Sequence, residues 1–164
     1  MKKRLLYTIG GLVLLALALY GWGLSLPTDH EITVSRSLTA PPNQVFATIA
    51  NFVEHPKWRS GVTSVDYDVA ARRVVEINSR GELPYKILKL EAPRLLVTEI
   101  DGGKDLGFGG TWVVTVAPID GGSLVTIVEH GSVYSPFFRV MSKLFFPSNK
   151  TAKTYLDDLA RKLN

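Results

Sequence analysis

The chain has 164 residues, enough for one domain of ordinary size or for an anchor plus a smaller domain. Hydrophobic residues make up 46% and charged residues 21%, the balance of a folded protein, which excludes a disordered one. The formal net charge is +4, but Lys2, Lys3 and Arg4 supply three of the 19 basic residues against 15 acidic ones. The rest of the chain is therefore nearly neutral, so its basic balance says little about nucleic acid, which needs a clustered basic face, and no nucleic-acid partner is expected; the absence of cysteine excludes disulfides, thiolate metal sites and cysteine nucleophiles.

Leu5 to Thr28 carries no charge. Residues 5–24 form an apolar run that at ~1.5 Å per helical residue spans roughly the 30 Å hydrocarbon core of a bilayer. A helix there closes its backbone hydrogen bonds internally, as lipid requires. Tyr20 and Trp22 stand near its outer end, where amphipathic rings favour the interface. The segment reads as one transmembrane helix, with residues 1–28 as anchor and linker and 29–164 as the folded domain. A cleaved signal peptide is the alternative, with Ala16-Leu17-Ala18 as a small-x-small site, but the apolar run continues to Leu26. Three basic residues precede the helix, whereas Asp29 and Glu31 follow it. That asymmetry predicts a single-pass protein with a cytoplasmic N-terminus and a periplasmic or otherwise extracytoplasmic domain.

Ile32, Val34 and Leu38 alternate with Thr33, Ser35 and Ser37 and predict a first strand. Pro41 and Pro42 end it and suit the first turn of a helix, whose apolar face is Val45, Phe46, Ile49 and Ala50. A second short helix or turn is expected over residues 53–59, carrying Trp58. Strands follow at 62–69, 73–79, 83–91, 94–101, 107–118 and 123–130, with Ile119-Asp120-Gly121-Gly122 as a hairpin turn. Trp112, Val114 and Val116 share one face. Ser135-Pro136 opens a long C-terminal helix, apolar at Phe137, Phe138, Met141, Leu144 and Phe145 and again at Ala152, Tyr155, Leu156, Leu159 and Leu163. Pro147 must kink or break it. A run of antiparallel strands needs its apolar face covered, and the C-terminal helix is the element long enough to do so.

Five stretches carry a resemblance. Ser37-Leu38-Thr39-Ala40-Pro41-Pro42-Asn43-Gln44-Val45-Phe46 resembles the first strand and helix of the polyketide cyclase/dehydrase and lipid-transport family, within the START-like (SRPBCC) superfamily. His55-Pro56-Lys57-Trp58-Arg59 with Val62 and Val65 resembles its next segment. Phe108-Gly109-Gly110-Thr111-Trp112 and Val128-Glu129-His130-Gly131-Ser132-Val133-Tyr134 resemble its later strands, and Tyr155-Leu156-Asp157-Asp158-Leu159 its final helix. The resemblance implies an α+β helix-grip (START-like) fold: a curved antiparallel sheet around a long C-terminal helix, here preceded by one transmembrane helix. It implies a deep apolar cavity and the binding of a hydrophobic small molecule or lipid. Enzymes of the family share no universal catalytic set, so no catalytic residue carries over. Pro147-Ser148-Asn149 departs from the glycine expected in the final helix, and the anchor is not part of the family pattern.

His30, His55 and His130 share no metal-ligand spacing, so no metal is expected, and no cofactor. His55 reads as a cap or surface residue. Gly107-Phe108-Gly109-Gly110 precedes a strand, which suits a bend in the sheet and not a phosphate cradle. Glu76, Glu99, Glu129, Arg59, Arg80, Tyr67 and Tyr85 read as outward residues of a half-solvated sheet. Any acid among them, or Arg80, that faces inward would be perturbed and could polarise a ligand carbonyl. Candidate cavity residues are Phe52, Trp58, Tyr67, Trp112, Tyr134, Phe138, Met141 and Phe145, since an apolar pocket with few polar groups is what a lipid-like ligand needs. The expected function is membrane-anchored binding of such a ligand. Two alternatives stand beside it: a cyclase- or dehydratase-type enzyme on an aromatic or polyketide-like substrate, and an envelope module that binds a protein partner.

Overall fold

A computed structural model describes residues 2–79, 81–145 and 149–163. Helix α1 (Lys2–Ser25) stands out from the body of the molecule, its side chains exposed almost throughout. It is long and apolar enough to cross a membrane. Seven strands follow: β1 (Asp29–Leu38), β2 (Val62–Asp68), β3 (Arg73–Asn78), β4 (Gly81–Glu91), β5 (Leu95–Ile100), β6 (Phe108–Ile119) and β7 (Gly122–Val133). They form one antiparallel sheet in the order β1-β7-β6-β5-β4-β3-β2. Helix α2 (Pro42–Ala50) and a 3-10 helix (Phe52–Lys57) carry the chain from the β1 edge to the β2 edge. A four-residue helix, α3 (Gly103–Leu106), links β5 to β6. Helices α4 (Pro136–Phe145) and α5 (Lys150–Leu163) end the chain. This is the α+β helix-grip arrangement.

Register fixes which residues look inward. Val34 opposes Ile127, which opposes Val114, which opposes Leu96. These four lie on one face, and α5 presses on it with Ala152, Tyr155, Leu156, Leu159 and Ala160, all buried. Three polar contacts hold α5 there. Asp158, 2% exposed, accepts the Ser60 backbone N–H at 2.5 Å and the Ser60 hydroxyl at 2.9 Å. Arg36 on β1 pairs with Asp157. The third is Arg161, which donates to the Ser60 hydroxyl at 3.3 Å and also pairs with Asp158 within α5, completing the shell of that buried carboxylate.

The single C-terminal helix expected from its periodicity is two helices. Residues 146–148, Pro147 among them, lie outside those described, as does Arg80. Helix α5 grips the sheet, whereas α4 has α1 as its main neighbour. The sheet also has two distinct ends. Asp29 pairs with Ser132, Phe108 with Val133 and Asn78 with Gly81. The end where α1 joins therefore holds the β3–β4 turn, α3 and the start of α4. The glycine-rich bend lies there too: Gly107 ends α3 at φ +78°, a conformation that favours glycine.

Leu159 is fully buried, and Leu159→Ala is expected to destabilise the protein by about 2–5 kcal/mol. Lys153→Ala on the exposed side of the same helix should stay within about 0.5 kcal/mol. Guanidinium unfolding of the detergent-solubilised chain, followed by tryptophan fluorescence, measures both.

Candidate functional site: a half-covered inner face

Phe52, His55 and Trp58 are three residues apart, the repeat of a 3-10 helix, so they stack on one side and face the sheet together. The sheet answers with Tyr67 and Tyr85. Phe52 makes edge contacts with His55 at 5.3 Å, Tyr67 at 5.2 Å and Tyr85 at 6.3 Å between ring centroids. Trp58 meets His55 at 5.2 Å and Tyr155 of α5 at 5.4 Å, and Tyr155 meets Trp112 at 5.8 Å. Edge-to-face pairs of this kind add to the burial of the rings themselves.

Inside this aromatic wall sits a polar set. His55 is 2% exposed and Glu76 3%, so the expectation of a surface histidine and an outward glutamate is corrected. The His55 ring is held at both nitrogens. Nε2 donates to the Ile49 carbonyl at 3.0 Å, and Nδ1 lies 3.2 Å from Glu76 Oε1 and 3.3 Å from Arg59 Nη1. The same Oε1 accepts the Tyr85 hydroxyl at 2.8 Å and pairs with Arg59. Arg59 in turn lies 4.8 Å over the Tyr155 ring. Burial alone raises the Glu76 pKa, but the His55 hydrogen bond and the charge of Arg59 outweigh it and hold the carboxyl below its ordinary value. Burial and the neighbouring Glu76 charge push the Tyr85 hydroxyl well above the usual phenol range, and burial does the same to Tyr155. Such a set is a staple between the 3-10 helix and β3–β4, with His55, Arg59 and the Tyr85 hydroxyl all converging on one Glu76 oxygen.

Towards the α1 end the cover runs out. Thr98 opposes Ile87 and Trp112, Ile100 opposes Tyr85, and Glu129 opposes Ile32 and Trp112, so all of these face inward. Yet Ile32, Thr98, Ile100 and Trp112 are only half-buried, and Glu129 keeps 19% exposure. Glu129 and Tyr85 thus also correct the expectation of outward faces, whereas Glu99 is exposed as expected. Glu129 Oε1 is 3.5 Å from His30 Nε2, and its Oε2 has no hydrogen-bond partner among the described residues.

The eight candidate cavity residues separate into two groups. Phe52 and Trp58 are buried in the aromatic wall, Tyr67 packs against it half-buried, and Trp112 stands at the boundary of the uncovered stretch. The others lie around the α1 end. Tyr134 reaches Gly103 and Gly109, its hydroxyl 2.9 Å from the place a Cβ on Gly109 would take. Met141 is half-buried, and Phe138 is 54% exposed on α4 beside Gly107. Phe138 stays exposed because α4 packs mainly on α1 and only lightly on β7. The side chain of Phe145 lies outside the described residues. A separate open groove of about 470 Å³ lies at the opposite end, between Phe46, Ala47 and Ala50 of α2 and Leu90 and Pro93. No group of three or more potential metal ligands occurs among the described residues.

Sequence reasoning missed His55 and Glu76 as a pair. Its only trace was the three-residue spacing of Phe52, His55 and Trp58, which needs the 3-10 geometry to be read.

The model of the family described as polyketide cyclase / dehydrase and lipid transport matches residues 29–164. The chain belongs to that family. No curated protein matches it. Among solved structures it is similar to norcoclaurine synthase from Thalictrum flavum in complex with dopamine and hydroxybenzaldehyde, at 13% identity and a TM-score of 0.65, covering 86% of this chain and 89% of that one. It is also similar to a START superfamily protein from Mycobacterium smegmatis, at 11% identity and 0.63, covering 82% and 97%. A protein from Rhizobium loti shares 17% identity at 0.65, with 82% and 97% covered. At these identities the likeness is one of fold.

Glu76 has a lower pKa folded than unfolded, so in that interval the unfolded chain binds more protons and stability rises with pH. Its contribution is complete above the unfolded value of about 4.3 and is lost as pH falls through the folded value. Glu76→Gln is expected to cost about 3–5 kcal/mol at pH 7, the penalty for stranding a buried partner. It should also flatten the dependence of the unfolding midpoint on pH below about 4.5. Unfolding curves of both forms from pH 7 to pH 3 test this.

Proposed function

We propose that this chain is a membrane-anchored carrier or sensor that binds a hydrophobic small molecule or lipid against the uncovered stretch of its sheet. The observation that carries the reading is the half-burial of Ile32, Thr98, Ile100 and Trp112 at positions whose register turns them inward. Residues of that kind, facing a core, are normally sealed. Each ligand methylene buried against them contributes about 0.8 kcal/mol, so an alkyl chain binds there without any catalytic group. Glu129 Oε2, buried and unpartnered at the same place, supplies an acceptor for a hydroxyl or amine on the ligand. The family description, which includes lipid transport, is consistent with this chemistry.

On this reading residues 1–28 are an uncleaved anchor with linker and 29–164 the binding domain. Positive charge before the helix places the N-terminus in the cytoplasm and the domain outside. The uncovered stretch lies at the end of the sheet where α1 joins, which would hold it at the bilayer and raise the effective concentration of membrane ligands.

One observation favours a second reading, a cyclase- or dehydratase-type enzyme: a buried histidine within reach of a glutamate that also accepts a tyrosine hydroxyl. Against it, Glu76 Oε1 is shared by His55, Arg59 and Tyr85, and both His55 nitrogens are engaged, which leaves that set little to offer a substrate.

Native mass spectrometry of gently extracted full-length protein is expected to show a co-purified apolar adduct. Thr98→Phe, which puts a ring into the uncovered stretch, should remove the adduct. Its stability should change by less than the about 1–3 kcal/mol that overfilling a packed core costs. Apo protein alone, with no uptake of added lipids, overturns the binding reading.

A further inference from the structure

Helix α4 is placed oddly for a soluble domain. Phe137, Phe138 and Leu144 are each more than half exposed, with Met141 half-buried between them. Residues 137, 141 and 144 have the four-and-three spacing of one helical stripe, so a continuous apolar stripe faces away from the protein. The opposite side packs on α1. The Pro136 carbonyl sits so close to Gly23 that a Cβ there would collide with it, so the absence of a side chain is what lets the two backbones meet. Leu19, one turn before Gly23, is the one residue between 7 and 22 that is half-buried, so the face of α1 that carries Leu19 and Gly23 receives α4. Val140 is buried there, outside the main core cluster. Arg139 ties the pair together, donating to the Leu26 carbonyl at 2.8 Å and the Tyr134 carbonyl at 3.2 Å. The guanidinium thus caps the C-terminal end of α1, where a positive charge is favourable.

We infer that α4 is an interfacial helix lying in the outer leaflet beside the anchor, with the lipid surface as the occupant of its apolar stripe. The inference rests on the reading of α1 as a membrane anchor. If α1 spans the bilayer with Tyr20 and Trp22 at the headgroups, then Leu19 and Gly23 lie at interface depth, and α4 is docked on the face they share. Its exposed stripe then continues the apolar surface of the anchor itself. Charge fits the same partner: besides Arg139, which caps α1, the chain from Pro136 to Lys153 has Lys143, Lys150 and Lys153 and no acidic residue. Cations flanking an apolar stripe suit an anionic bilayer surface. A protein partner is the competing occupant, and the continuity of the stripe with the apolar anchor favours the bilayer over it.

The chain has no cysteine, so single-cysteine variants carry one label each. Leu144→Cys and Phe137→Cys report on α4, Leu12→Cys on the anchor, and Asp120→Cys on the β6–β7 turn at the far end. Each full-length variant is labelled with an environment-sensitive dye and reconstituted in vesicles of three parts phosphatidylcholine to one part phosphatidylglycerol. Lipids with quenchers at shallow and deep positions then read depth. The α4 labels are expected to be blue-shifted and quenched at least twofold more by the shallow quencher than by the deep one. Leu12→Cys should show the reverse preference, and Asp120→Cys no quenching. If the α4 labels behave like Asp120→Cys while Leu12→Cys is quenched, the inference is wrong and the anchor stands. An unquenched Leu12→Cys removes the anchor, and the inference with it.

Discussion

Strands β6 and β7 have 12 residues each, about 40 Å at ~3.3 Å per residue, and α5 has 14 residues, about 21 Å at ~1.5 Å per residue. A helix of that length cannot cover strands of that length. Most of the remaining architecture follows from the mismatch. Where α5 lies, the sheet is sealed: Val114, Val116, Val125 and Ile127 are buried to 3% or less. Beyond it, inward side chains keep part of their surface open. An unbroken C-terminal helix would have run on over that region, but α4 leaves the sheet and packs on α1 instead. Among the described residues nothing of the fold seals the open stretch, where Ile32, Ile100 and Trp112 stand with Thr98 and a Glu129 oxygen that has no hydrogen-bond partner there.

The covered half is held by two kinds of force. Apolar burial under α2 and α5 supplies the bulk of the stabilisation. Two buried carboxylates, Glu76 and Asp158, fix geometry, one joining the 3-10 helix to β3–β4 and the other joining the loop after that helix to α5. Both sit on the side of the molecule near β2. The β1 edge has a looser clamp, the half-exposed Arg36–Asp157 pair, whose value in water is small. Polar fastening is therefore unequal across the molecule, and at the α1 end the short helix α3 has no buried residue and α4 is largely exposed.

Much of this was legible in the residues. Alternation of Ile32, Val34 and Leu38 against Thr33, Ser35 and Ser37 marks β1, and Asp120-Gly121 marks the β6–β7 turn, because side-chain period and turn chemistry are local properties. The stripe Ala152, Tyr155, Leu156, Leu159 likewise gives the buried face of α5. What stayed hidden depends on pairing between distant segments. His55 is 21 residues from Glu76, and its burial requires both the 3-10 register and the β3 face to be known. Strand register decides which of Glu76, Glu99 and Glu129 point inward, and one sequence does not supply it. Helix α4 looked like the first half of a sheet-gripping helix, since Phe137, Met141 and Leu144 have the same spacing as a core stripe. Its diversion rests on Leu19 and Gly23 of α1, a leucine among many and a glycine that no local pattern connects to it.

The central claim is that the open stretch of the inner face receives an apolar molecule from the bilayer. Photolabelling tests it most directly: the full-length chain in vesicles containing a lipid with a photoactivatable diazirine on its tail, irradiated, digested and mapped by peptide sequencing. Adducts on the strand residues Ile32, Ile100 and Trp112 are expected, together with those on α1. Adducts confined to the helices, with the inward strand residues unlabelled, would contradict it.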